Sequence, residues 1–329
     1  MPRAFVTGIT GQDGGYLAER LLAEGTEVHG MVRPGDDDAI RDLKLRSPGV
    51  VLHEGDLGDE DRLGRLVADL RPDEIYNLGG ISSVAYSWQE PVLTARLCGV
   101  AAAVILEAAW RLQEDSGRHV RCLQASSAEI FGDAAASPQD ESTPVRPVSP
   151  YGAAKAFAHH MAGVYRGRGL HVATCIFFNH ESPRRPLAFV TRKITAAAAR
   201  IGADGSGVIQ LGNLDACRDW GWAPDYVDAM VRAVRHKVAS DYVIATGQTH
   251  TVAEFAEAAL RRAGLGDSWR DHVEVDAELL RPADAPTLVG NATRAHRELG
   301  WEPTVRFAEV VGRMVDYDLE LLKRSEDEP

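Results

Sequence analysis

Arg3-Ala-Phe-Val-Thr7 runs into Gly8-Ile-Thr-Gly11-Gln-Asp-Gly14 and then into the helical run Tyr16 to Glu24. The first five residues, apolar and β-branched, predict a short strand. Strand, glycine turn and helix in that order are the context a dinucleotide-binding fingerprint needs. The glycines permit the tight turn and let the backbone approach a pyrophosphate, which rests on the positive end of the helix. The spacing is GxxGxxG rather than GxGxxG, and taken alone it also fits a glycine-rich turn that holds nothing.

A second stretch, Ser149-Pro150-Tyr151-Gly152-Ala153-Ala154-Lys155, sets a phenol and an ammonium four residues apart. On a helix these lie on one face, one turn apart. A lysine held there is expected to favour the tyrosinate and lower the phenol from about 10 towards working pH. Such a tyrosine can take the proton of a hydroxyl while hydride leaves the same carbon. Tyr and Lys meet at this spacing in many helices, so the glycine turn upstream is what gives the pair its meaning.

The 329 residues can bury a substantial core. A net charge of −12 argues against nucleic acid or an anionic membrane as a partner. No apolar run is expected to approach the roughly 18 residues of a spanning helix. The N-terminus enters a strand at once, so no signal peptide is expected. Cys98, Cys122, Cys175 and Cys217 have no metal-ligand spacing. They read as free thiols of a reducing cytoplasm, and no metal is expected.

Up to about residue 178, short apolar strands alternate with amphipathic helices. Strands are expected at Glu27–Val32, Val50–His53, Glu74–Asn77, Val120–Ala125 and His171–Phe178, and helices at Glu60–Leu70, Pro91–Leu112 and Tyr151–Arg166. The alternation predicts an α/β protein, a Rossmann-type doubly wound parallel sheet over residues 1–178. Residues 179–329 predict a smaller lobe that binds substrate over the carboxyl ends of the strands, with helices at Val252–Ala263 and Phe307–Leu322. Some return of this chain to the first domain is expected. Asp36-Asp37-Asp38 reads as a solvated loop, and the end from Lys323 as a frayed tail.

The chain resembles the extended short-chain dehydrogenase/reductase superfamily and, within it, the GDP-mannose 4,6-dehydratases. The blocks GITGQDG (8–14), EIYNL (74–78), SPYGAAK (149–155), FNHESPRR (178–185), FVTRKI (189–194), LGNLDACRDWG (211–221), DYVIATG (241–247) and ELGW (298–301) carry the likeness. It implies a redox-neutral dehydration of a nucleotide sugar, with a nicotinamide dinucleotide that never leaves. By the same likeness Tyr151, helped by Lys155, is the base at carbon 4. Glu129 is the base at carbon 5, where an epimerase or a reductase has no need of a carboxylate. Ser127, where threonine is usual, bonds the carbon-4 oxygen. The resemblance places Gly8, Thr10, Gly11, Gln12, Asp13, Gly14, Arg33, Asp56, Leu57, Leu78, Ser82, His180 and Arg185 at the cofactor. It places Ser83, Asn179, Val190, Lys193, Arg218, Arg281 and Asp284 at the substrate, where cations suit a diphosphate.

The chain also departs from that pattern. Where two arginines commonly meet the adenosine 2′-phosphate, it has Arg33-Pro34 and then three aspartates. NADP is the expected cofactor, with NAD as the alternative. The same loop is short, so a homodimer is expected at least as readily as a homotetramer. Gly80-Ile81-Ser82-Ser83 replaces a stretch that usually carries glutamine and histidine. Leu93 replaces a tyrosine, Trp222 a histidine and Asp284 a glutamate. These changes bear on which sugar is bound. Another nucleotide sugar, a 4-epimerase or 4-keto reductase, and a non-catalytic binding protein of this fold remain the alternatives to dehydration of GDP-mannose.

Overall fold

The computed structural model describes residues 1–280 and 287–327. Seven strands form one sheet: β1 (Arg3–Thr7), β2 (Glu27–Val32), β3 (Val51–Glu54), β4 (Glu74–Asn77), β5 (Arg121–Ser127), β6 (His171–Phe177) and Asp241–Ile244. Their order is Asp241–Ile244, β6, β5, β4, β1, β2, β3, and every pairing is parallel. A parallel sheet must be covered on both faces, which explains why β4 and β6 are buried at every residue.

Adjacent residues serve opposite faces. Val6, Val28, Tyr76 and Leu123 pack beneath helix Gln12–Ala23 and helix Ala223–Arg235. Phe5, Met31, Ile75 and Cys122 pack beneath helices Glu60–Leu70, Ala101–Ser116 and Pro150–Gly167. The chain steps from β1 outward to β3 and then crosses to β4 on the other side of β1. The crevice where ligands of such sheets bind therefore lies beyond the ends of β1 and β4. Below it Thr7 Oγ1 donates to Asn77 Oδ1 at 2.7 Å, and Asn77 Nδ2 donates to Gln124 Oε1 at 2.8 Å.

A further core unites helices Val190–Asp204, Val252–Arg262 and Phe307–Asp327 around Trp220 and Trp269. Between them the chain returns to the sheet, where helix Ala223–Arg235 covers one face and Asp241–Ile244 extends the edge beyond β6.

Several expectations are corrected. The three aspartates are not a loop: Asp36 is the N-cap of helix Asp37–Arg46, whose first turn holds Asp37 and Asp38. Carboxylates are favourable there because they face the positive end of the helix dipole. The first helix starts at Gln12, so Gly14 and Gly15 lie in its first turn. The last helix continues through Asp327 rather than fraying from Lys323. Pro91–Ser116 is one continuous helix of 26 residues whose most apolar window has a mean hydropathy of 1.8, long and apolar enough to cross a membrane by length and composition. Here Ala102, Ile105, Leu106 and Ala109 face the sheet. A helix packed on a sheet and flanked by neighbours needs apolar residues around most of its circumference.

Candidate active site

A cleft of about 730 Å³ opens over the crevice between the sheet and the smaller lobe. Gly8 sits at φ +69°, and a Cβ there would lie 2.9 Å from the Gly79 backbone. A Cβ on Gly14 would fall 2.2 Å from the Gly8 carbonyl oxygen and 2.5 Å from Ile9 Cα. Only glycine lets the turn fold this tightly beneath the helix start. Gly11, the N-cap, carries no side chain to close that end.

The start of this helix is tied to the 178–185 block. Gln12 Nε2 donates to the His180 carbonyl at 3.1 Å, and Ser182 Oγ donates to Gln12 Oε1 at 2.8 Å. His180 Nδ1 lies 2.8 Å from the Phe178 carbonyl and Nε2 lies 2.8 Å from Asp13 Oδ2. A carbonyl only accepts, so Nδ1 carries a proton, and the carboxylate draws a second to Nε2. Burial pushes the imidazolium down, but the charge and hydrogen bond of Asp13 outweigh it and hold His180 above the usual range. Burial likewise pushes Asp13 up, and His180 and Arg185 together hold it below the usual carboxylate value. The ring of Tyr226 stacks on His180 at 4.4 Å.

Four side chains meet at the ends of β5 and helix Pro150–Gly167. β5 finishes at Ser127, whose Oγ accepts from the Glu129 amide at 3.3 Å and so caps the turn Ala128–Ile130. Ser149 Oγ accepts from the Gly152 amide at 3.0 Å and Pro150 takes the first turn, so the helix begins one residue before Tyr151. A Cβ on Gly152 would stand 2.5 Å from the Glu129 carbonyl oxygen. The glycine lets this helix press against the turn that carries Glu129. The Tyr151 amide donates to Ser87 Oγ at 3.2 Å, and its phenol lies near Ser127. Lys155 Nζ donates to the Ala125 carbonyl at 3.0 Å and lies 5.9 Å from the Tyr151 ring centre. Glu129 is half-buried on the cleft wall.

The spacing of Tyr151 and Lys155 suggested a lowered phenol, and the structure reverses this. Burial and the neighbouring Cys98 push Tyr151 above its ordinary value, with Glu129 adding to the rise. Ser127 and Arg185 pull the other way. Burial lowers Lys155, and its ammonium is directed at a backbone carbonyl rather than at the phenol.

Thr10, Asp56, Leu57, Leu78 and Ser82 line the cleft near the fingerprint turn, and Arg33 stands at its outer end, 64 % exposed. Ser83, the N-cap of helix Val84–Gln89, also lines the cleft, and Asn179, Val190, Lys193 and Arg218 line it from the chain beyond β6. Lys193 Nζ donates to the Gln210 carbonyl at 2.6 Å, and buried Arg218 donates to the Cys217 carbonyl at 2.8 Å. Arg281 and Asp284 lie outside the described residues. Every other expected site residue borders this one cleft. Neither Leu93 nor Trp222 does; the Arg313 guanidinium lies 5.1 Å from the Trp222 ring.

Other lining residues escaped the sequence reading. Asp36 borders the outer end beside Arg33. Glu181, 1 % exposed, accepts from Thr191 Oγ1 at 2.6 Å and pairs with Arg185 at 3.4 Å, while Arg185 lies 3.8 Å from the Phe189 ring. Glu181 stands inside the 178–185 block, but its contact with Thr191 depends on the fold.

A parallel sheet in this order, with a glycine turn at the crevice and a Tyr-x-x-x-Lys helix beside it, defines an extended short-chain dehydrogenase/reductase. Solved structures agree in fold: the UDP-glucose 4-epimerase of Thermotoga maritima, with UDP-glucose, superposes with a TM-score of 0.85 at 22 % identity, covering 97 % of this chain and 99 % of that one. A dTDP-glucose 4,6-dehydratase of Streptomyces venezuelae, with NAD and TYD bound, gives 0.82 at 24 % identity, covering 97 % of each chain. More narrowly, the family profile described as GDP-mannose 4,6 dehydratase matches residues 5–314, and the chain belongs to that family. Among its relatives, GDP-mannose 4,6 dehydratase 1 of Arabidopsis thaliana is 44 % identical over 98 % of this chain and 91 % of its own. The GDP-mannose 4,6 dehydratase of Homo sapiens is 40 % identical over 97 % and 92 %, and that of Vibrio cholerae 36 % over 98 % and 95 %.

Proposed function

We propose that the protein is a hydro-lyase that converts GDP-mannose to GDP-4-keto-6-deoxymannose using a tightly held nicotinamide dinucleotide. Family membership supports the sugar and the reaction. The observation that carries the chemistry is a carboxylate, Glu129, on the same cleft wall as the phenol–lysine pair, on a turn pressed against Gly152.

The cleft fits a dinucleotide, because the Gly8–Gly14 cradle has no room for side chains and exposes a helix start to an anion. A nicotinamide dinucleotide held along Gly8–Gly14 would supply a hydride acceptor for carbon 4 and a hydride donor for carbon 6. Tyr151 takes the proton of the carbon-4 hydroxyl, with Ser127 bonding the same oxygen. This step requires the tyrosinate: burial opposes it, and Ser127 and the Arg185 charge favour it. The carbon-4 ketone acidifies the carbon-5 hydrogen, which Glu129 removes. Glu129 then gives that proton to the hydroxyl leaving carbon 6, so that water departs; as hydride is restored at carbon 6, carbon 5 regains a proton from solvent and Tyr151 releases the one it took. Asn179, Lys193 and Arg218 hold the diphosphate.

Among the dinucleotides we assign NADP, with the adenosine 2′-phosphate on Arg33. Exposed Val92 and Val100 on one long helix and Phe157 and Val164 on its neighbour form an apolar face suited to a second copy of the chain. We therefore assign a homodimer or homotetramer, which light scattering on the eluted protein measures directly. The four unpaired cysteines support a cytoplasmic protein.

Incubation with a panel of GDP-, UDP- and dTDP-sugars tests the activity. GDP-mannose should lose the mass of one water with no net cofactor turnover. Stoichiometric consumption of reduced cofactor, or an isomer of unchanged mass, would overturn the reading.

A further inference from the structure

β2 ends in the turn Arg33-Pro34-Gly35-Asp36, in which the Asp36 amide donates to the Arg33 carbonyl at 3.4 Å and Gly35 stands at φ +88°. Proline followed by a glycine at positive φ is the signature of a type II turn. This rigid turn brings the two end side chains together. Arg33 Nε donates to Asp36 Oδ2 at 3.2 Å and Nη2 donates to Asp36 Oδ1 at 3.3 Å. Both residues line the outer end of the cleft. Asp36 makes no side-chain cap bond to its helix, so its carboxylate is committed to the guanidinium. The bidentate fork that would grip a phosphate is already filled by an internal anion of similar geometry.

We infer that Asp36 is a specificity-determining residue: by occupying Arg33 it competes with the cofactor's 2′-phosphate and brings the affinities for NADP and NAD together. The inference rests on the cleft holding a nicotinamide dinucleotide by its adenosine end at Arg33. A 2′-phosphate must displace Asp36 or share the guanidinium with it. A 2′-hydroxyl carries no charge and meets no such competition. The competition is electrostatic and strengthens as salt is lowered.

Calorimetric titration of the cofactor-free protein with NADP and with NAD tests this without reference to activity. Asp36→Asn keeps the shape and remains a good N-cap. It should tighten NADP about tenfold, the scale of one charge-assisted hydrogen bond set free, and leave NAD within roughly twofold. Asp38→Asn is the control for general acidity, since Asp38 is almost fully exposed and pairs with Arg41 at 3.1 Å. It should change neither affinity. Arg33→Ala should weaken NADP alone. If Asp36→Asn leaves NADP unchanged while Arg33→Ala weakens it, the inference is overturned and Arg33 keeps its role. Equal tightening by Asp38→Asn would also overturn it, in favour of bulk charge. Binding of neither dinucleotide by any form would instead overturn the underlying reading of the cleft.

Discussion

Replacing His180 by glutamine should destabilise the protein through Asp13 rather than through His180 itself. The side chains of this pair are 10 % and 23 % exposed, 2.8 Å apart, and tie residue 13 to residue 180. Removing one member of a buried pair costs about 3–5 kcal/mol, because the remaining charge is stranded out of water. Asp13 retains some exposure and the attraction of Arg185, so a loss of about 2–3 kcal/mol is expected, below that full range. Urea denaturation of His180→Gln, Asp13→Asn and the double variant measures it. The double variant should be more stable than His180→Gln, since it strands no charge. The pH dependence fixes the sign. His180 is held above its unfolded value of 6.5, so its contribution is complete below that pH and is lost as pH rises through the folded value. Asp13 is held below 3.8, so its contribution is present above 3.8 and is lost as pH falls through the folded value. The gap between wild type and His180→Gln should be widest between these limits and close on the alkaline side. A gap below about 0.5 kcal/mol at about pH 6, within the range of a neutral surface change, would refute the imidazolium.

Glu129→Gln should cut turnover by about 10²–10⁴-fold while the thermal midpoint and cofactor affinity stay at wild-type values; activity within a few-fold of wild type would remove Glu129 from the chemistry. Tyr151→Phe should abolish hydride transfer, read as the absence of any nicotinamide absorbance change in a single turnover. Lys155→Met should lower activity by removing the bond to the Ala125 carbonyl while leaving the pH optimum in place, and an optimum moved to higher pH would instead give Lys155 a direct hold on the phenol. Gly152→Ala places a Cβ 2.5 Å from the Glu129 carbonyl oxygen and should lower kcat by about tenfold or more through displaced catalytic geometry, with KM little changed.

The strand–glycine–helix start and the Tyr151–Lys155 spacing were legible because both are local: a turn that needs glycine and one helical turn between partners. The Asp13–His180 pair was not, since 167 residues separate its members and only the fold shows that both are protected from water. The Tyr151 expectation failed for the same reason. Spacing places the lysine on the right face, but burial decides which protonation state is favoured. The three aspartates were misread as a loop because charge density suggests solvent, whereas an acidic first turn is also what a helix start favours. The apolar run within Pro91–Ser116 was masked by Arg96 and Glu107 inside it and by Arg111, Glu114 and Asp115 at its end. The Arg33–Asp36 pair was the nearest miss: Pro-Gly between them already signalled a turn that sets the two side by side.

The fate of the hydride decides the central claim. GDP-mannose deuterated at carbon 4 should yield GDP-4-keto-6-deoxymannose carrying that deuterium at carbon 6, read by proton and deuterium NMR of the product. Deuterium that stays at carbon 4, or that accumulates in a released dinucleotide, would contradict internal transfer within this cleft.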